Sequence, residues 1–130
     1  MIFTLDTHGA DYLDTEEGRQ LPIPHCLKGS DGWQLTDRVA ALAGDSRRFE
    51  RPTFGSLELA RYLEGKAFDE VELCGLVSNI CVLSNAVLAR AACPNAHIVV
   101  DARLTGSADG ALQEKCLDVL GGIQVEVRGR

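Results

Sequence analysis

Apolar and polar positions alternate in short blocks along the chain, and the blocks predict strands and helices in turn. Ile2-Phe3-Thr4-Leu5 is a brief apolar run closed by Asp6-Thr7-His8, the pattern of a buried strand. Residues 9–32 are rich in Gly, Pro and Asp with no sustained periodicity, which predicts a long loop. In a compact domain a loop of more than about 15 residues usually carries a function. Trp33 to Ala43 reads as a helix and Arg47 to Glu50 as a short strand. Ser56 can cap a helix running to about Leu63, with Leu57, Ala60 and Leu63 along one face. Glu70 to Gly75 reads as a strand. Asn79 to Ala92 reads as a helix with Ile80, Leu83, Val87 and Leu88 on its apolar side, stopped by Pro94. Ala96 to Val100 is a strand ending at Asp101. Ser107 caps a helix through Leu120, closed by Gly121-Gly122, and Ile123 to Val127 is the last strand. Strands alternating with helices imply right-handed crossovers and a mostly parallel, doubly wound α/β sheet with helices on both faces, three layers in all. No internal repeat or linker is visible, so residues 1–130 form one domain.

Composition narrows the partners. The 130 residues are 45% apolar and carry a net charge of −6, with the basic residues scattered. That balance argues against a nucleic-acid backbone as partner. No apolar run reaches the roughly 18 residues of a membrane span, and no signal peptide is visible. The five cysteines, Cys26, Cys74, Cys81, Cys93 and Cys116, include no Cys-x-x-Cys pair. Free thiols in a reducing, cytoplasmic compartment are the simplest reading.

Ligands of open parallel sheets bind at the carboxyl ends of strands. Three groups fall there: Asp6/His8, the Gly75–Cys81 turn and Asp101. With Ser78 or Asn79 as N-cap, Cys81 would sit in a first helical turn, where unpaired N–H groups and the helix dipole favour a thiolate and can hold an oxyanion. The alternative is that Cys81 is a small buried residue, as Cys74, Cys93 and Cys116 are expected to be. Asp6 and His8 lie two apart on a strand and so point to one side. With His25 from the following loop they make a three-ligand set suited to Zn²⁺, Mn²⁺ or Fe²⁺. The alternative is a histidine capping the loop beside a surface aspartate. His97 reads as structural, and Trp33 as packing near the loop.

The segments IFTLDTH, LPIPHCLKG, RPTFGS and GLVSNICVLSNAVLA together resemble the isochorismatase-like cysteine hydrolases, and within them the nicotinamidases. The resemblance runs the length of the chain. It implies a doubly wound α/β fold that often assembles into oligomers. It makes Cys81 the nucleophile that attacks a small carboxamide, such as nicotinamide, through a thioester. It places a cis peptide bond at Leu76-Val77, and an oxyanion hole in the N–H groups of Val77 and Cys81. It makes Asp6, His8 and His25 the ligands of a divalent metal. Two departures follow. The family's aspartate base lies in an N-terminal segment that would precede Met1, so the chain reads as lacking its first βα unit. A missing general base costs roughly 10²–10⁴ in rate, and Asp101 is expected to orient a turn rather than replace it. Second, Arg51 stands where the family usually has lysine; it can stabilise negative charge but donates a proton poorly. The competing readings are an isochorismatase-type hydrolase acting on a vinyl ether, which the Asp6/His8/His25 set disfavours, another small-amide hydrolase, and a catalytically impaired paralogue serving as a binding or assembly subunit. An uncovered sheet edge would favour a homo-oligomer.

Overall fold

The computed structural model describes residues 1–130 as two compact units, Met1–Ser56 and Leu57–Arg130. In the first, β1 (Ile2–Asp6) pairs in parallel with β2 (Arg47–Arg51), in a register that sets Ile2 opposite Arg47 and Asp6 opposite Arg51. The connection holds a 3-10 turn at Tyr12–Asp14, the helix α1 (Glu16–Gln20), a second 3-10 turn at Asp31–Trp33 and the helix α2 (Asp37–Ala43). Residues 9–32 are therefore not one loop. α1 is too short to show an apolar period, but its cap is visible: the Thr15 hydroxyl accepts the Gly18 N–H at 3.0 Å, with Glu16 and Glu17 in the first turn. α2 starts four residues later than the expected helix, because Trp33 belongs to the 3-10 turn and its Nε1 donates to Thr7 Oγ1 at 2.8 Å. Gly44, at φ 47°, ends α2.

The second unit runs α3 (Leu57–Leu63), β3 (Glu70–Leu76), a five-residue π-type turn (Ser78–Val82), α4 (Leu83–Ala92), β4 (His97–Gly106), α5 (Gly110–Gly122) and β5 (Glu126–Arg128). β3, β4 and β5 form a sheet in that order, every pair parallel. Ile98, Val99 and Val100 are consecutive and fully buried, so β4 is covered on both faces, as parallel strands between helices require. The core joins Ile98 and Val100 to Leu63, Val82, Ala86, Leu117 and Leu120. Each fully buried Leu or Ile contributes about 1.5–3 kcal/mol relative to exposure. The protein is thus an α/β fold with parallel sheets flanked by helices.

Several boundaries differ from expectation for local reasons. β4 extends to Gly106 because Thr105 and Gly106 pair with Gly75 and Leu76 beyond a register shift. Asp101 therefore lies inside the strand, not at its end. The cap of α5 is Asp109, whose Oδ1 accepts the Leu112 N–H at 3.0 Å; the Ser107 hydroxyl instead accepts the Asp109 N–H. β5 begins only at Glu126, because the N–H groups of Ile123, Gln124 and Val125 close the end of α5 onto Leu120 and Gly121 carbonyls. No helix is long and apolar enough to cross a membrane.

Candidate functional site

In the first unit, β1 delivers Asp6 and its continuation delivers His8. The His8 N–H donates to the Cys26 carbonyl at 3.0 Å, and the His8 carbonyl accepts the Lys28 N–H at 2.9 Å. These two bonds seat the segment carrying His25 alongside His8. α1 adds a residue that the sequence reading missed, Glu17. The ligand atoms of Asp6, His8, Glu17 and His25 all lie within 4.8 Å of one another. His8 Nε2 is 3.2 Å from Asp6 Oδ1 and 3.7 Å from Glu17 Oε1; His25 Nε2 is 3.8 Å from Asp6 Oδ2 and 3.6 Å from Glu17 Oε1. Ligand atoms around a tetrahedral ion with bonds of about 2.1 Å lie about 3.4 Å apart.

Hydrogen bonding supports the same reading. Asp6 Oδ1, His8 Nε2 and Glu17 Oε2 are buried and have no hydrogen-bond partner. Buried polar atoms are normally paired, so three orphans in one cluster mark a place for a ligand that accepts their lone pairs. His25 Nδ1 lies 2.8 Å from the Ile23 carbonyl, which can only accept; in the neutral ring the proton sits on Nδ1 and Nε2 keeps its lone pair toward the cluster. Two imidazoles with two carboxylates suit zinc, manganese or iron(II).

Tyr12 organises the rings. It is 1% exposed, and its ring meets His8 at 4.7 Å and His25 at 5.0 Å, both edge-on. Burial, then the negative charges of Glu17 and Asp6, push its phenol above the ordinary range, so its hydroxyl keeps its proton and donates to the Leu21 carbonyl at 2.8 Å. Glu17 could have been suspected from the Thr15 cap, which starts a helix inside a segment bounded by two histidines. Tyr12 carries no comparable signal.

Arg51 ends β2 in this unit, 5% exposed. Its Nη1 donates to the Thr53 carbonyl at 2.6 Å and stands 3.5 Å from Asp6 Oδ1. Trp33 is half-buried and tied to Thr7 by its indole N–H.

In the second unit, β3 leads through Gly75, at φ 115°, and a cis Leu76-Val77 peptide bond into the Ser78–Val82 turn that contains Cys81. The turn is not the capped first turn of an α-helix that the sequence suggested. Its N-cap is Val77, with no side-chain cap, because the Ser78 hydroxyl, fully buried, accepts from Thr105 Oγ1 at 3.0 Å. The Ile80 and Val82 N–H groups converge on the Val77 carbonyl at 3.1 Å, while Asn85 Nδ2 donates to the Cys81 carbonyl at 2.8 Å. Cys116 Sγ bonds the Ser78 carbonyl at 3.2 Å. Cys81 is half-buried, Cys93 and Cys116 are buried, and burial pushes both of those thiols up. Cys74, expected to be buried, is exposed: β3 presents alternate residues outward and its last residues, Cys74 to Leu76, all lie open. All five cysteines are free. Asp101 belongs to neither group; it holds Arg103 through side chain and backbone. His97 contacts Glu126 and Glu70 at the start of the sheet.

The fold and these two groups of residues define a class. The model of the isochorismatase domain matches residues 1–127, and the chain belongs to the isochorismatase family. Among solved structures it is similar to a nicotinamidase/pyrazinamidase from Bacillus subtilis, with 26% identity over 98% of this chain and 73% of that one, at a TM-score of 0.83. It is similar in fold to a pyrazinamidase of Pyrococcus horikoshii in complex with zinc (20% identity, 97% and 73% of the two chains, TM-score 0.79). The yeast nicotinamidase is a third such fold (17% identity, 99% and 79%, TM-score 0.81). No curated protein matches the sequence.

Proposed function

We propose that this chain is a nicotinamidase-like cysteine hydrolase that converts a small carboxamide, nicotinamide first among them, to the carboxylate and ammonia. The observation that carries the reading is the convergence of Asp6, His8, Glu17 and His25 with three buried, unpartnered atoms, in a family that includes a zinc-bound pyrazinamidase fold. Asp6, His8 and His25 would hold a divalent ion, with Glu17 within reach; a bound ion supplies Lewis acidity and a fixed point for a heteroaromatic nitrogen or water.

The chain's own residues would do the rest. Cys81 Sγ attacks the amide carbonyl carbon and forms a C–S bond. Collapse of the tetrahedral adduct breaks the C–N bond, and the departing nitrogen takes the thiol proton and leaves as ammonia. Water then cleaves the thioester, giving the carboxylic acid and restoring the thiol. The Leu76, Val77 and Cys81 turn would supply backbone N–H donors for the oxyanion. Arg51 would contribute fixed positive charge rather than a proton.

The test is ammonia release from nicotinamide by metal-loaded protein. Turnover is expected in the wild type, loss of at least about 10³-fold in Cys81→Ala with unchanged metal content, and loss on chelation that added metal restores. Absence of turnover in metal-loaded, folded wild type, across nicotinamide, pyrazinamide and other small amides, would leave the family fold as a binding or assembly subunit instead.

A further inference from the structure

The position of Arg51 bears on the acidic cluster as well as on hydrolysis. β1 and β2 pair so that Asp6 and Arg51 stand opposite each other, both at the carboxyl ends of their strands. The main chain of Arg51 is fixed, its carbonyl accepting the Thr7 N–H at 2.9 Å. Its guanidinium is fixed too, by the 2.6 Å bond from Nη1 to the Thr53 carbonyl, and the residue is 5% exposed. Nη1 is 3.5 Å from Asp6 Oδ1, while Nε is buried and unpartnered. A guanidinium keeps its proton at any working pH. A permanent positive charge is thus held, away from water, beside one carboxylate of the Asp6/His8/Glu17/His25 cluster.

The charges can be counted. Asp6 and Glu17 balance a divalent ion, and two neutral imidazoles add nothing. Arg51 makes the loaded cluster net positive, and without an ion it half-neutralises the two acids. Like charges a few ångströms apart and shielded from water repel strongly. The cation side chain therefore favours the empty cluster over the filled one.

Resting on the metal reading above, we propose that Arg51 is a built-in counter-charge of this site: it holds Asp6 in position when no ion is present and weakens the affinity for the ion that replaces it. Metal occupancy would then follow metal supply, and the site would exchange its ion instead of trapping it. Arg51 acts here as a positioning and affinity-setting residue.

The experiment compares wild type with Arg51→Lys, Arg51→Met and Arg51→Gln by chelator-competition titration with Zn²⁺ and with Mn²⁺, alongside thermal unfolding of the metal-free proteins. Removing the charge is expected to tighten binding about tenfold or more in the Met and Gln variants, and to lower the unfolding midpoint of their metal-free forms. Lys, which keeps the charge, is expected to bind within about threefold of wild type. A residue that merely supported the fold would lower the midpoint without tightening binding. Equal or weaker metal binding by a folded Met or Gln variant overturns the proposal; Gln, which can still bond Thr53, stands in if Met does not fold. Failure of the wild type and every variant to bind either ion at all overturns the metal reading itself, a different outcome from unaltered affinity.

Discussion

Asp101 shows how one side chain can set a pH response. Its carboxylate takes the Arg103 guanidinium at 2.6 and 3.0 Å and the Arg103 backbone N–H at 2.9 Å. These bonds to Arg103, the side-chain ones first, hold its pKa down from the ordinary 3.8 to about 2. A depressed carboxylate contributes stability that is complete above its unfolded value and disappears as pH falls through the folded one. Urea midpoints measured from pH 5 to pH 2 are expected to fall more steeply below about pH 4 in the wild type than in Asp101→Asn; parallel curves would remove the assignment. At this scale the sequence was informative where chemistry restricts the residue type. Asp6, His8, His25 and Cys81 stood out because few other side chains ligate metals or attack carbonyls. Glu17 did not, because residues 9–32 carry no periodicity that marks a helix there, and one acid in a polar stretch gives no sign of a ligand. Tyr12 did not, because an aromatic ring usually means core.

At the scale of elements, α1 matters most to the cluster. Gly18 is its only buried residue, and a Cβ there would fall 2.0 Å from the Tyr12 carbonyl and 2.8 Å from Leu13 Cα. The helix thus lies on the Tyr12–Asp14 turn so closely that no side chain fits between them, and that docking aims Glu17 at the histidines. Gly18→Ala is expected to cost about 1–3 kcal/mol by overpacking and to weaken zinc binding in a chelator competition, with circular dichroism unchanged elsewhere; undiminished zinc affinity would show that α1 does not place a ligand. The long elements of the second unit were legible because their apolar periods are sustained. Short ones were not: α1 spans a little more than one turn, and the Ser78–Val82 turn reads from its residues as ordinary helix. Its π geometry follows from where Ser78 and Asn85 find partners, which tertiary contacts decide.

For the whole molecule, a bound ion should appear as stability. A ligand that binds only the folded state adds about 2.7 kcal/mol when present at 100 times its dissociation constant. Zinc titrated into metal-free protein is expected to raise the unfolding midpoint until the site saturates, chelator should reverse the rise, and His8→Ala should abolish it. An unchanged midpoint across the titration would deny the cluster a structural ion. The parallel sheets were legible from the alternation of blocks alone, since strands separated by helices can pair only through crossovers. The long β4 was underestimated because its last residues, Arg103 to Gly106, carry one apolar side chain, the exposed Leu104, and Thr105 and Gly106 are held by pairing with β3 beyond a bulge.

The open end of β3 bears on how the thiols can be studied. Cys74 lies in the open and Cys26 and Cys81 are half-covered, while Cys93 and Cys116 are sealed. Moles of alkylating reagent consumed per chain will therefore count Cys74 together with Cys81, since the rate at each sulfur depends on its thiolate fraction as well as its exposure. Only separated peptides analysed by mass spectrometry, or a Cys74→Ser background, can time the modification of position 81.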